Sequence, residues 1–328
     1  MLHRTRYFVI ASLLVLVVGL GTGLVAYYVG FPGGALPNDL PVQLTFVPSD
    51  AAVVAYADVH QLMASDLRQQ LRERFPASGQ REFAAHTGID IERDVDSVVG
   101  FLSGSATDRQ VPQGLAVIRG RFDRQRIEAL LNEHGGHEEP YSHTTIIVAG
   151  GGADVPESFG AAFLGEDVFG IGHVDQLRAA IDRKAAGDGA TTNRELMQRI
   201  RGVNGRSAWV VGRFDALVAS GHLPARTLAD IPAITWLSGS LRIDSTLHLT
   251  VQADTRDEQA ANDLRGLVTG VLAVGKLQRA ANPTLGDLAK SIVLGGSGAT
   301  VTLSFDASPR LLESIHPPRT PEAPVQTP

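Results

Sequence analysis

Hydrophobic residues along the chain fall into three patterns. The first is one long uncharged run, Tyr7 to Gly30 (YFVIASLLVLVVGLGTGLVAYYVG). The second is a set of short apolar stretches bounded by Gly, Asp or Pro, as in AAVVAYAD (51–58), DSVVGFLSG (96–104) and ITWLSGSLRI (234–243), and these read as β-strands. The third is apolar spacing of three and four residues, which predicts amphipathic helices. It holds for Val59, Leu62, Met63, Leu67, Leu71 and Phe75 within 58–75, and for Ala260, Leu264, Leu267, Val271 and Val274 within 256–278.

The long run spans roughly 36 Å as a helix at about 1.5 Å per residue, enough to cross a ~30 Å hydrocarbon core. Arg4 and Arg6 precede it, and no Lys or Arg follows until Arg68. The positive-inside rule therefore sets residues 1–6 in the cytoplasm and the body outside it. A cleaved signal peptide has a shorter apolar core and a small-residue end. This run instead ends in Val25, Tyr27 and Tyr28. The expectation is an uncleaved single-pass anchor (7–30) in the inner membrane, contacting the lipid bilayer. Gly19 and Gly23 have the spacing that lets two membrane helices approach as a homodimer.

The body repeats itself. AAVVAYADVHQLMAS (51–65) is matched by SAWVVGRFDALVAS (207–220). Two strands and a helix follow in each half: 96–104, 114–123 and RQRIEALLNEHG; then 234–243, 246–254 and the helix 256–278. TTIIVAGG (144–151) then matches SIVLGG (291–296), and FGAAFLGEDVFGIG (159–172) matches ATVTLSFD (299–306). The expected fold is α+β: a transmembrane helix, then two tandem βαββαββα-type repeats forming mainly antiparallel sheets with helices on one face. Its divisions are a spacer at 31–49, repeat one at 50–186, a linker at 187–205, repeat two at 206–316 and a Pro-rich tail at 317–328.

The segments Gly120-Arg-Phe-Asp123 and Gly172-His-Val-Asp-Gln-Leu177-Arg-Ala-Ala180-Ile181 carry a resemblance. With the overall pattern, they are similar to uncharacterised bacterial single-pass membrane-anchored proteins with a duplicated exported α+β domain. The resemblance implies that architecture and no activity.

Composition narrows the chemistry. The chain lacks cysteine, which excludes disulfides, thiol catalysis and Cys-ligated metals. Beyond residue 30 it has 27 Lys+Arg against 35 Asp+Glu, an acidic body that disfavours nucleic acid. Five aspartates, Asp58, Asp123, Asp215, Asp254 and Asp306, each stand where a strand is expected to give way to a helix. They are expected as helix N-caps, Asp58 with Gln61 as a capping box. His134, His137 and His143 form a His-rich loop that offers metal ligands without a standard spacing. Gly150–Gly152 and Gly295–Gly298 read as hairpin turns, since a phosphate loop needs a helix N-terminus. Asp90, Asp94 and Asp96 lack the Gly turn of a calcium loop, and Ser103 and Ser238 lack a nucleophile elbow. No cofactor is expected. The expected function is a non-enzymatic binding or structural role in the cell envelope, with an exported protein partner. The alternatives are a carrier or sensor for an apolar ligand, and a metal-dependent enzyme using the three histidines.

Overall fold

The computed structural model describes residues 40–63, 84, 88–103, 113–149, 159–219, 233–277 and 290–307. The expectations for the membrane run with Gly19 and Gly23, for Gly150–Gly152, for most of the helix 58–75 and for the tail lie outside them. Among the described residues, no helix is long and apolar enough to cross a membrane.

Among the described residues, twelve strands form one antiparallel sheet. In chain order they are β1 (Val53–Asp58), β2 (Val95–Ser103), β3 (Gln113–Gly120), β4 (His137–Tyr141), β5 (Thr144–Val148), β6 (Phe159–Phe163), β7 (Val168–His173), β8 (Ala208–Arg213), β9 (Ile234–Ile243), β10 (Leu247–Thr255), β11 (Ile292–Gly295) and β12 (Thr300–Ala307). Across the sheet the order is β11-β12-β10-β9-β8-β1-β2-β3-β7-β6-β5-β4. β1 and β8 pair antiparallel at the middle, with Tyr56 opposite Trp209. Outward from β1 run β2, β3, β7 and β6; outward from β8 run β9, β10, β12 and β11. Sheet position therefore equates β11 with β6, whereas the sequence pattern matches it to β5. The hairpin β4–β5 has no described counterpart in the second half.

The helices are α1 (Val59–Met63), α2 (Ile91–Asp94), α3 (Arg124–Glu133), α4 (Val174–Ala186), α5 (Arg194–Val203), α6 (Phe214–Ala219) and α7 (Glu258–Leu277), with 3-10 turns at Val42–Phe46 and Ala190–Thr192. They cover both faces of the sheet, not one. On the first face, α4, α5 and both 3-10 turns pack on Val54, Val99, Phe101, Leu115, Val117, Trp209 and Val211. On the second, α1 and α3 pack on Val98, Ala116, Ile118 and Phe169, and α7 packs on Leu237, Ala253 and Val301. The reason is compositional: β1, β2, β3 and β8 are apolar on both sides, so each side demands cover.

Two segments read as spacers are core instead. Within 42–47, Leu44, Phe46 and Val47 are buried. In α5, Leu196, Met197 and Ile200 are buried at helical spacing, and the Leu196 N–H donates to Asn193 Oδ1 (3.0 Å) as an N-cap. Trp209 and Trp236 are core.

The two family-like segments are packing devices. A Cβ on Gly120 would lie 2.1 Å from the Asp94 carbonyl oxygen, and one on Gly172 would lie 2.4 Å from that of Gly114. Leu177 and Ala180, downstream of Gly172, are fully buried in α4.

Candidate functional site

The second half is built unevenly. On the first face of β10 and β12 the strands show His248, Thr250, Gln252 and Asp254 beside Asp306, Ser304, Thr302 and Thr300. This polar surface is half-exposed. On the second face the same strands show Leu247, Leu249, Val251 and Ala253 beside Ala307, Phe305, Leu303 and Val301. The ends of that apolar strip are packed, under α1 at Leu247 and Ala307 and under α7 at Ala253 and Val301. Between them Val251 and Leu303 are opposite each other and half-buried, with Gly239 beside Val251 on β9. Half-buried Ile292 and Leu294 of β11 extend the strip.

α7 borders this strip. Its N-terminal half packs inward through Ala260, Ala261 and Leu264. Farther along, Leu267, Val271 and Val274 continue the same stripe and Leu277 ends the helix, but all four are exposed, Val271 64% and Leu277 82%. The last turns, GLVTGVLAVGKL, hold one charge, Lys276. An apolar stripe that runs on exposed beyond its packed half calls for a second apolar contact.

Two polar clusters sit on the first face. At one end, His248 Nδ1 lies 2.7 Å from Asp306 Oδ1, and its Nε2 lies 3.3 Å from Asp244 Oδ1. Burial opposes charge on Asp244, but the Thr246 N–H and His248 outweigh it and hold its carboxyl below the usual range. At the other end, Arg199 of α5 stacks over Trp236 (4.5 Å) and reaches Asp254 Oδ2 (3.4 Å). The Trp236 Nε1–H donates to Glu195 Oε1 (3.1 Å). This cluster fastens α5 to the second half of the sheet.

The five aspartates divide. The Gln61 N–H donates to Asp58 Oδ1 (2.7 Å), and the Arg126 N–H to Asp123 Oδ1 (3.1 Å). Those two are caps. The reciprocal bond of a capping box at Asp58 is not made, because the Asp58 N–H donates to the Ser207 carbonyl (2.8 Å). Asp215 lies inside α6, where it accepts from the Ala216 N–H. Asp254 stays within β10 and accepts from Gln252 and Thr300. The cap of α7 is Asp257, which accepts from the Ala260 N–H (2.8 Å). Asp306 stays within β12 as the partner of His248.

The three histidines are not drawn together. His134 ends α3 with its Nδ1 on the Leu130 carbonyl, His137 opens β4, and His143 is in the β4–β5 turn. Among the described residues, no group of three or more His, Asp or Glu is placed to hold a metal. Residues 137–141 form a strand, not the expected loop. Gly295–Gly298 is a turn between β11 and β12, with φ +94° at Gly296, as expected. Asp90 caps α2, with the Glu92 N–H on its Oδ1. Ser103 closes β2, whereas Ser238 is buried within β9. Apolar spacing marks α7 as a cover over the sheet but does not reveal that the C-terminal half of its stripe is exposed. The signal for that half is the uncharged stretch from Gly266 to Gly275.

The described fold is an α+β protein built on one large antiparallel sheet. The solved crystal form I of TP0453 is similar to it, with a TM-score of 0.50 and 12% identity over 86% of this chain and 98% of that one. At that identity the likeness concerns the fold alone. No protein-family model matches the chain, and no curated protein matches it.

Proposed function

We propose that this chain is a membrane-tethered, extracytoplasmic binding protein of the cell envelope with no catalytic role, whose contact surface is the exposed C-terminal half of α7. The observation that carries this reading is the exposed apolar set Leu267, Val271, Val274 and Leu277. Exposed apolar patches of this kind mark interaction surfaces. The tether rests on the uncharged run 7–30 and the arginines before it. An origin by internal duplication, as in the anchored proteins the sequence resembles, is supported by the matching strand order on either side of the β1–β8 pair. A photoreactive residue at Val271 of the full chain, activated in intact cells, should form an adduct with an exported protein. The same residue at Glu133 should not. Adducts with cytoplasmic proteins alone would defeat both the topology and the role.

A second reading, a carrier or sensor for an apolar ligand, is favoured by the half-exposed strip Val251–Leu303 beside α7. Native mass spectrometry of the full chain extracted from its own cells separates the two. A bound lipid-sized mass supports the carrier, and a clean apo mass ends it.

A further inference from the structure

The two outer edges of the sheet are built differently. The edge strand β4 reads His-Glu-Glu-Pro-Tyr. Its carboxylates and its proline, which has no N–H, are the usual guards against strand addition. The opposite edge, β11, reads Ile-Val-Leu-Gly. It carries no charge and no proline, and Val293 is 63% exposed.

The first half shows what such an edge accepts. β6, at the position equivalent to β11, pairs on its outer side with the antiparallel strand β5, through Ile146, Ile147 and Val148. Among the described residues, nothing pairs with the outer side of β11. An edge of this composition suits a short antiparallel strand of uncharged, mostly apolar residues. β11 is itself such a strand.

We infer that two copies of this chain join β11 to β11 antiparallel, making one continuous sheet. A two-fold axis perpendicular to the sheet keeps each face on its own side. Because side chains alternate with period two, that symmetry requires a residue, not a gap between residues, on the axis. Val293 on the axis sets Ile292 against Leu294 of the second copy, so every side chain of the joint is apolar. Leu294 on the axis would set Val293 against Gly295 and bury less. In that arrangement residues 42–46 of both copies lie on the same face of the joined sheet. Self-pairing at β4 would instead bring either Glu138 or Glu139 against its own copy, and like charges directly opposite repel. The inference uses backbone edge groups and does not depend on the role proposed for α7.

The absence of cysteine makes the test clean. In the full chain in its own membranes, Val293→Cys should give a disulfide-linked homodimer on mild oxidation. Leu294→Cys should give at least ~10-fold less, because facing Cβ atoms within disulfide reach occur only on the axis. Glu138→Cys should give none. Val293→Lys should convert the detergent-extracted full chain from dimer to monomer in sedimentation while leaving its melting temperature unchanged. The proposal is overturned by a Val293→Cys adduct to a different protein or by no adduct. A dimer untouched by Val293→Lys but lost with Gly19→Leu and Gly23→Leu overturns it as well, because pairing would then lie in the membrane run.

Discussion

Tyr56 and Trp209 stack across the β1–β8 pair, ring centroids 5.6 Å apart and planes 25° from parallel. They are direct cross-strand partners, one from each half of the chain, and Trp209 is among the largest fully buried side chains. Burial, then the neighbouring Asp58, pushes the Tyr56 phenol well above its ordinary range, so it stays protonated. Trp209→Ala should cost about 3–5 kcal/mol, read by denaturant unfolding. Trp209→Phe, which keeps a ring against Tyr56, should cost clearly less. Equal losses from both would show that volume alone matters there.

Asp58 offers a pH test with a definite sign. Burial raises its pKa above the ordinary value, against the opposing bond from the Gln61 N–H. A folded pKa above the unfolded one means the ionised form costs stability. That cost is absent below the unfolded pKa and complete above the folded one. Asp58→Asn keeps an acceptor for Gln61 and carries no charge. It should equal or exceed the wild type in stability at pH 7, and the difference should shrink or reverse as pH falls toward 4. Asp58→Ala should lose about 1 kcal/mol at pH 7. Thermal melts from pH 7 to pH 4 decide.

His173 runs the other way. Burial lowers its pKa, against the nearby Asp175, and its Nδ1 accepts from the Gly114 N–H, a bond only the neutral nitrogen makes. The ring packs on Phe159 at 4.4 Å. With a depressed folded pKa, its neutral form contributes stability above the unfolded value of about 6.5, and that is lost as pH falls toward the folded value. His173→Asn, which keeps an acceptor, should flatten the decline in melting temperature between pH 7 and pH 5. An unchanged slope would assign the decline to other groups.

The two halves of α7 should respond in opposite fashion. Leu264, 7% exposed, faces the sheet, and Leu264→Ala should cost about 2–4 kcal/mol. Val271→Asp in the exposed half should change stability by no more than about 0.5 kcal/mol while lowering binding of an apolar dye such as ANS. A strongly destabilised Val271→Asp would mean the exposed half is already packed.

Gly120→Ala should destabilise by about 1–3 kcal/mol or more, since the new methyl would meet a backbone carbonyl, which cannot swing aside. Urea unfolding at neutral pH measures it.

That glycine also shows what could be read from the chain alone. Gly120-Arg-Phe-Asp123 stands out in sequence because sterics at Gly120 and a cap at Asp123 each admit few residues. Strong apolar runs were equally legible: Ile234–Ile243 is a strand over the expected limits. Failures came where one residue type serves two purposes. Asp254 ends an apolar run as a cap would, yet β10 runs one residue further to Thr255, and Asp257 takes the helix. Pro48 and the glycines at 187 and 189 suggested spacers, but buried residues stand beside them, Leu44, Phe46 and Val47 before the proline and Leu196, Met197 and Ile200 after the glycines. β4 was invisible because a guarded edge strand has the composition of a loop. Cover on both faces was implied by Val53–Val54 and Val98–Val99, neighbours that cannot share one side of a strand.

The central β1–β8 pair has a practical consequence for anyone dividing the gene. A cut near residue 205 would strip each fragment of the neighbour that closes its innermost strand, baring a ribbon greasy above and below. Neither fragment should remain dispersed by itself, and mixing the two from denaturant should rescue both together. The chain is thus one cooperative object, and its second half is in effect the first half's missing wall.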